Sequence, residues 1–251
     1  MNNFNAVRIK NEIVQWIRDW FDINGKDCNC IVGTSGGKDS SVVLALCTEA
    51  LGKDRVYGIL MPNGYQSDIE DAQRVIKHLG IKSFECNIGK TYNTLLEEVN
   101  WAVLAFTPSL ASEQTKINLP PRIRMATLYA ISQSLNGRVA CTDNLSESYI
   151  GYSTRWGDGV GDFSPLINLT SDEVVAIGDA CGLPYELTHK TPSDGLCGKT
   201  DEDNFGFTYA DLNKYIRTGV CEDKDIKAKI DKRHHKNLFK LQPIPGFNPK
   251  F

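Results

Sequence analysis

The stretch GTSGGKDSS, residues 33–41, follows the apolar run CIV at residues 30–32 and leads into the helix-like segment SVVLALCTEAL at residues 41–51. Its three glycines allow consecutive backbone N–H groups to point into a turn, and the start of the helix directs its positive end to the same place. Thr34, Ser35, Ser40 and Ser41 add hydroxyl groups. We interpret the stretch as a phosphate-binding turn that suits a pyrophosphate group.

Two common phosphate-binding motifs do not fit this turn. A Walker A loop requires Gly-Lys-Ser/Thr, but here Lys38 is followed by Asp39. A dinucleotide fingerprint requires glycines spaced by two and then three positions, whereas Gly33 and Gly36 are three apart. Because Asp39 would repel a bare phosphate, its presence indicates a bridging divalent cation.

The pattern around the turn predicts an α/β protein. Short apolar runs at residues 28–33, 55–62, 82–88 and 137–144 alternate with helix-like segments. We therefore expect a Rossmann-like parallel sheet with helices on both faces, and ligands at the carboxyl ends of its strands. We see no linker and no internal repeat, so residues 1–251 are predicted to form one domain.

Composition limits the partners that we expect. Lysine and arginine number 28 against 31 aspartates and glutamates, giving a net charge of -3 and no broad basic surface for nucleic acid or an anionic membrane. No stretch approaches the roughly 20 apolar residues of a membrane span, and we expect a cytoplasmic protein that binds small molecules. The eight cysteines contain no CxxC pair and are typical of reduced core residues.

The segment SGGKDS at residues 35–40 matches the SGGxDS signature of the ATP pyrophosphatases, which cleave ATP between the α and β phosphates. Four further segments resemble, in order and spacing, the ammonia-dependent NAD+ synthetases. They are MPNGYQSDIEDA (61–72), NLPPRIRMATLYA (118–130), TDNLSESYIGYSTRWGDGVGDFSPLINLT (142–170) and TPSDGL (191–196). The resemblance covers nearly the whole chain and implies an adenine nucleotide α-hydrolase-like sheet.

The resemblance also implies a reaction and an assembly. The nicotinate carboxylate of deamido-NAD attacks the α-phosphorus of ATP, pyrophosphate leaves, and ammonia then displaces AMP to give NAD+. A homodimer is expected, with an interface that helps to bind deamido-NAD. We expect Trp16 and Trp20, on an amphipathic first helix at residues 4–21, to supply apolar surface for this dimer.

The resemblance implies a role for each matching residue. The ATP phosphates are held by Gly33, Thr34, Ser35, Gly36, Gly37, Lys38, Asp39 and Ser40, among which Ser35, Lys38 and Asp39 are the expected catalytic residues. Further ATP contacts are expected from Thr142 and Ser193, and Mg2+ is expected on Asp39 and Glu147. Deamido-NAD is expected on Arg122, Arg155, Asp162 and Lys240.

Some positions depart from the family pattern. Ser171 occupies the place of a lysine that contacts ATP, and Lys38 and Lys199 are the candidates to replace its charge. Arg155 stands where lysine is usual and retains a cation. Near the end of the chain, the spacing to Pro243 selects Lys240, while the stretch HHK at residues 234–236 is an alternative alignment.

Two other functions remain open from the residues alone. A tRNA-thiolating relative would show paired CxxC motifs or a basic appended domain, and neither is found. A nucleotide-sensing module would not need a second carboxylate for Mg2+ or a site for a second anionic substrate. We expect free ammonia rather than glutamine as the nitrogen donor, because no activated cysteine with a matching histidine is evident. The loop at residues 190–206, which contains Cys197, is expected to act as a lid.

Overall fold

The computed structural model describes residues 4–66, 69–190 and 200–249. Within this part of the chain four parallel strands form one sheet: β1 (Asn29–Gly33), β2 (Val56–Leu60), β3 (Lys82–Glu85) and β4 (Gly137–Ala140). Their order is β3-β2-β1-β4, with Cys30 of β1 opposite Val56 on one side and Arg138 on the other. The predicted parallel α/β sheet is confirmed.

Helices follow or precede each strand. They are α1 (Ala6–Asn24), α2 (Lys38–Leu51), α3 (Ile69–Leu79), α4 (Gly89–Leu104), α5 (Glu113–Ser134), α6 (Leu145–Ile150), α7 (Ser171–Ala180), α8 (Tyr185–Thr188), α9 (Asp201–Phe205), α10 (Tyr209–Thr218) and α11 (Lys224–Leu241). No helix in the described ranges is long and apolar enough to cross a membrane.

Alternation along β1 divides the core between the two faces of the sheet. Cys30 and Val32 pack with residues of α1, α2 and α7 on one face. Ile31 points to the other face, where it packs with Ile59 and Ile123. Successive side chains of a strand point to opposite faces, so a fully apolar strand requires cover on both sides. The central position of β1 fixes the place of the turn that follows it.

A smaller apolar cluster joins α6, α9, α10 and α11 next to the sheet. Its buried members are Ile150, Phe205, Phe207, Tyr209, Leu212 and Ile230. This cluster anchors the short helix α6 at the carboxyl end of β4.

One face of the first helix packs against the rest of the chain. Val14, Ile17 and Phe21 are buried, and the indole of Trp20 stacks on the ring of Phe163 with 4.8 Å between ring centroids. Phe163, from the loop after α6, thus covers part of Trp20, whereas Trp16 is 43% exposed, so the contribution of this helix to a dimer stays a prediction.

Candidate active site

The phosphate turn connects β1 to α2, and its shape requires glycine at position 36. Gly36 has a φ of +82°, and a Cβ built there would lie 2.6 Å from the backbone nitrogen of Ala72 and 2.8 Å from the Cβ of Asp71. A positive φ is costly for residues with a side chain, and the contact with α3 leaves no room for one. The first turn of α3 therefore supports the phosphate turn from below.

Hydroxyl groups organise the interior of the turn. The Oγ atoms of Ser35 and Ser40 are 3.1 Å apart, and the backbone N–H of Gly37 donates to Ser35 Oγ at 3.2 Å. Ser40 and Ser41 both donate to the carbonyl of Gly37, at 3.2 and 2.8 Å. The predicted phosphate-binding residues thus lie together at the start of α2, with their hydroxyls and amides in one turn.

Asn144 ties this turn to the loop after β4. Its Oδ1 accepts a hydrogen bond from the backbone N–H of Glu147 at 3.1 Å, which caps α6, and its Nδ2 donates to Oδ1 of Asp39 at 3.0 Å. The Asn144 side chain is completely buried. One amide group therefore fixes both carboxylate-bearing segments, which come from turns after different strands.

Lys38 lies against the same carboxylates. Its Nζ donates to Oδ2 of Asp39 at 2.7 Å and lies 5.8 Å from the ring centroid of Tyr209, while the side chain is almost fully buried. Burial alone would lower the pKa of Lys38, but the charges of Asp39 and Glu147 outweigh it and raise this pKa above its usual value. Lys38 is therefore held as a cation among acids.

Among the described residues, the acids around Lys38, which include Asp39, Glu147 and Asp201, outnumber this one cation. Burial, followed by the charge of Asp39, raises the pKa of Glu147 well above its usual value. Burial and the charges of Asp158 and Asp39 raise the pKa of Asp143 to about 7. Carboxylates that repel one another in this way favour an added positive charge, and oxygen ligands suit a hard divalent cation. The Asp39 and Glu147 pair therefore fits Mg2+.

A cavity of about 460 Å3 opens beside Lys38. Ser171, the residue in place of the family lysine, lines it as well, and Ser171 Oγ accepts a 3.1 Å hydrogen bond from Asn213 Nδ2. Another depression, of about 520 Å3, lies between α3 and β3 and includes none of the motif residues proposed to bind substrate. We assign the smaller cavity to the site because it adjoins the phosphate turn.

Three of the four residues expected to bind deamido-NAD meet near the segment after α6. Arg122 Nε donates to the carbonyl of Arg155 at 3.3 Å. The Arg155 guanidinium lies 5.1 Å from the ring centroid of Trp156 and 5.3 Å from that of Phe239. Lys240 Nζ donates to the carbonyls of Gly151 and Ser153 at 3.0 and 3.1 Å, so α11 brings it to the same segment.

The fourth, Asp162, is held differently. One of its oxygens accepts from the backbone N–H of Val139 at 2.8 Å and the other from the Tyr129 hydroxyl at 3.2 Å. Within the described residues no hydrogen bond or ion pair joins Asp162 to Arg122 or Arg155. Its carboxylate therefore fastens the loop to β4.

Comparisons with known proteins agree with this geometry. The family model described as NAD synthase matches residues 9–244. The chain belongs to the NAD synthase family. It is 38% identical over 241 residues to an NH(3)-dependent NAD(+) synthetase of Carboxydothermus hydrogenoformans, covering 93% of this chain and 96% of that relative.

Solved structures give the same fold. An NMN synthetase from Francisella tularensis superposes with a TM-score of 0.87 at 30% identity, covering 99% of this chain and all of that one. An NH3-dependent NAD synthetase from Campylobacter jejuni, in complex with the nitrate ion, superposes with a TM-score of 0.77 at 25% identity, with 98% of this chain and all of that one covered. The family resemblance inferred from the motifs is confirmed.

Several predicted residues of this NAD synthase family member lie outside the described part of the chain. Ser193, Cys197 and Lys199 are among them, and so is most of the segment expected to act as a lid. Thr142 is described and directly precedes the buried Asp143. The alternative stretch at residues 234–236 begins with His234, which stacks on Tyr149 with 4.3 Å between ring centroids.

Sequence reasoning missed two asparagines that organise the site. Asn144 stands three residues before Glu147, and an asparagine at this spacing before an acidic residue is a helix-capping pattern that could have drawn attention to it. Asn213 accepts from Ser146 Oγ at 2.6 Å and donates to Ser171 and Asp172. It lies on α10, far along the chain from all three partners, and no local pattern marks it.

Proposed function

We propose that the chain catalyses the ATP-dependent amidation of deamido-NAD to NAD+ with ammonia, releasing AMP and pyrophosphate, the last step of NAD biosynthesis. Residues 1–251 act as one synthetase domain. The observation that carries the proposal is the Asn144 amide, which holds Asp39 of the phosphate turn and the helix start at Glu147 together. A phosphate turn with a second carboxylate beside it suits the transfer of an adenylyl group between two anions, and the family match supports this reaction.

The reaction takes place in two steps. An oxygen of the nicotinate carboxylate forms a bond to the α-phosphorus of ATP as the bond from that phosphorus to the pyrophosphate oxygen breaks. The nitrogen of ammonia then bonds to the carboxyl carbon, AMP leaves with the carboxylate oxygen, and a proton is lost. A carboxylate is a poor acyl donor, so adenylation supplies the leaving group.

Residues of the phosphate turn position the phosphates of ATP. The N-terminus of α2 and the hydroxyls of Ser35 and Ser40 face the phosphates, and Lys38 supplies a cation for the departing pyrophosphate. Asp39 and Glu147 would hold Mg2+, which when bound neutralises phosphate charge. Holding both substrates in one geometry supplies much of the rate enhancement in such a reaction.

The second substrate is assigned to the segment after α6. Arg122, Arg155 and Lys240 place three cations there, which suits the pyrophosphate and carboxylate groups of deamido-NAD. The guanidinium of Arg155, held between Trp156 and Phe239, has a restricted orientation. Asp162 contributes by fixing the loop to β4 through Val139.

Nicotinate mononucleotide is a second candidate substrate, in place of deamido-NAD. The NMN synthetase of Francisella tularensis superposes with a TM-score of 0.87, against 0.77 for the NAD synthetase of Campylobacter jejuni. Nicotinate mononucleotide and deamido-NAD share the carboxylate that is adenylated and differ in the adenylate half. The chemistry at the phosphate turn is the same for both, so the choice depends on contacts away from the reacting carboxyl group.

We further propose that the enzyme works as a homodimer through α4 and the segment after it. In this 16-residue helix only Gly89 is fully buried, although the sequence is rich in apolar residues. Trp101 is 67% exposed and Phe106 91% exposed, and Leu95, Leu104 and Leu110 are exposed nearby. An uncovered apolar face of this kind favours an interface, and a second copy is the partner that the family resemblance implies.

One assay tests the function and separates the two substrates. The protein is incubated with ATP, Mg2+ and ammonium and with either deamido-NAD or nicotinate mononucleotide, and pyrophosphate, AMP and the amide product are measured. We expect the larger kcat/KM with deamido-NAD. A larger kcat/KM with the mononucleotide would select the second candidate, and no pyrophosphate with either substrate would overturn both. Glutamine replaces ammonium in a parallel reaction, where little turnover is expected.

A further inference from the structure

Lys38 and Ser171 both line the cavity of about 460 Å3. Each is the first residue of a helix, Lys38 of α2 and Ser171 of α7. The positive ends of two helices therefore flank one space, and such an arrangement favours an anion. The family pattern places a lysine at position 171, whereas this chain has serine there and brings Lys38 to the same cavity.

Ser171 cannot supply the missing charge, and its hydroxyl is already engaged. Asn213 Nδ2 donates to Ser171 Oγ at 3.1 Å, and the backbone N–H of Ser171 donates to Ser146 Oγ at 3.0 Å. Ser146 Oγ in turn donates to Asn213 Oδ1 at 2.6 Å. This neutral network closes the wall of the cavity on which the family lysine would stand.

The other charged side chains that line the cavity in the described part of the chain have partners of their own. Lys190 forms a 2.8 Å ion pair with Asp71. Asp172 accepts from Asn213 at 2.8 Å, and Glu202 accepts from the backbone N–H of Tyr209 at 2.8 Å. Lys38 differs from Lys190 because its ammonium contacts Asp39, the acid assigned to Mg2+, and lines the cavity at the same time.

We propose, resting on the ATP-dependent function above, that Lys38 replaces the lysine absent from position 171 and exchanges its partner during binding. Without nucleotide, the Lys38 ammonium is the counter-ion of Asp39. When Mg2+ and ATP bind, Mg2+ replaces the Lys38 ammonium at Asp39, and the ammonium turns to the terminal phosphates of ATP in the cavity. Lys38 thereby competes with free Mg2+ in the empty enzyme and assists phosphate binding in the loaded one.

The claim that Lys38 competes with the metal ion for Asp39 is tested by metal binding alone, without turnover. Mn2+ binding to nucleotide-free protein is measured by electron paramagnetic resonance for the wild type, K38M, K38Q and K38R. Removing a positive charge that touches a metal ligand should tighten Mn2+ binding about fivefold or more in K38M and K38Q. K38R should bind Mn2+ as the wild type does. The matched control is K190M, which removes a cation from the same cavity but not from Asp39, and its Mn2+ affinity should not change.

The role of Lys38 in phosphate binding is tested by moving the lysine from position 38 to position 171. ATP binding at saturating Mg2+, measured calorimetrically without the second substrate, should weaken about tenfold or more in K38M because a charge-assisted contact is lost. In the double variant K38M/S171K the lysine returns to the family position, and ATP affinity should recover to within about threefold of the wild type. Circular dichroism establishes that each variant is folded.

The outcomes separate this proposal from the proposed function. Unchanged Mn2+ affinity in both K38M and K38Q, or a folded K38M/S171K that binds ATP no better than K38M, overturns the role of Lys38. If the wild type binds Mn2+ and ATP as expected but releases no pyrophosphate with either nicotinate substrate, the proposed function fails while the role of Lys38 stands.

Discussion

The buried amide of Asn144 donates a 3.0 Å hydrogen bond to Oδ1 of Asp39. Because the same side chain caps α6 at Glu147, the distance between the two proposed Mg2+ ligands depends on one residue that does not itself bind the metal. Asn144 is therefore a positioning residue, and its replacement should affect the metal more than the fold.

Asn144→Ala should remove the cap and the support of Asp39 together. Loss of a helix cap costs about 1 kcal/mol, so the protein should remain folded with a modestly lower Tm. We expect the Mg2+ concentration needed for half-maximal activity to rise about tenfold, because Asp39 and Glu147 are no longer held at a fixed distance from each other. Asn5→Ala, which removes the cap of α1, is the matched control. An equal change in Mg2+ dependence for both variants would contradict the positioning role.

Gly36→Ala should prevent the phosphate turn from forming. A methyl group would meet the backbone of Ala72 at 2.6 Å at a position where φ is +82°. Backbone strain at such a position costs roughly 1–3 kcal/mol before the clash is counted, and ATP binding should be lost. The control is Gly80→Ala, where φ is +63° but nothing lies within 4 Å of the added Cβ. It should show only the strain penalty in thermal unfolding and should retain ATP binding.

Asp143→Asn should stabilise the metal-free protein at high pH. The folded-state pKa of Asp143 is raised to about 7, mainly by burial, from a usual value of 3.8. A raised pKa contributes most to stability below pH 4, and this contribution is lost as the pH rises through 7. The asparagine avoids that loss, so its advantage should be roughly 2 kcal/mol greater at pH 8 than at pH 5.

Urea unfolding in the presence of a chelator measures this difference. Asp54→Asn, at an exposed acid in the turn before β2, is the control and should show no comparable pH dependence. An Asp143→Asn advantage that is the same at pH 5 and pH 8 would mean that Asp143 is ionised throughout this range.

Trp101→Glu combined with Phe106→Glu should convert the proposed dimer into a monomer. Both side chains are largely exposed in a single chain, so the folding of the monomer should be little affected, whereas burying two carboxylates in an interface is strongly unfavourable. Analytical ultracentrifugation at micromolar concentration gives the mass. Val7→Glu, on the exposed side of α1, is the control and should leave the dimer intact. Dissociation by Val7→Glu alone would instead assign the interface to α1.

The sequence predicted the parts of the site that are local. The strand, glycine turn and helix around residues 33–41 follow one another in the chain, so their spacing predicted the sheet and the glycine turn that the structure shows. Glu147 was proposed as a site residue through its motif, and the structure places it at the start of α6 beside Asn144. Contacts between distant segments were not predictable in this way, because the partial burial of Trp20 depends on Phe163, and the setting of Ser171 depends on Asn213.

The presence of Lys38 and Ser171 in the lining of one cavity bears on how members of the family are recognised. A rule that requires lysine in a fixed alignment column would classify this chain as impaired at the triphosphate. A lysine side chain is long enough to bring its ammonium into a shared cavity from different positions, so under the proposed role of Lys38 the charge of the cavity is kept while the residue that carries it changes. Members of the family are therefore better compared by the charges that line this cavity than by the residue at a single alignment position.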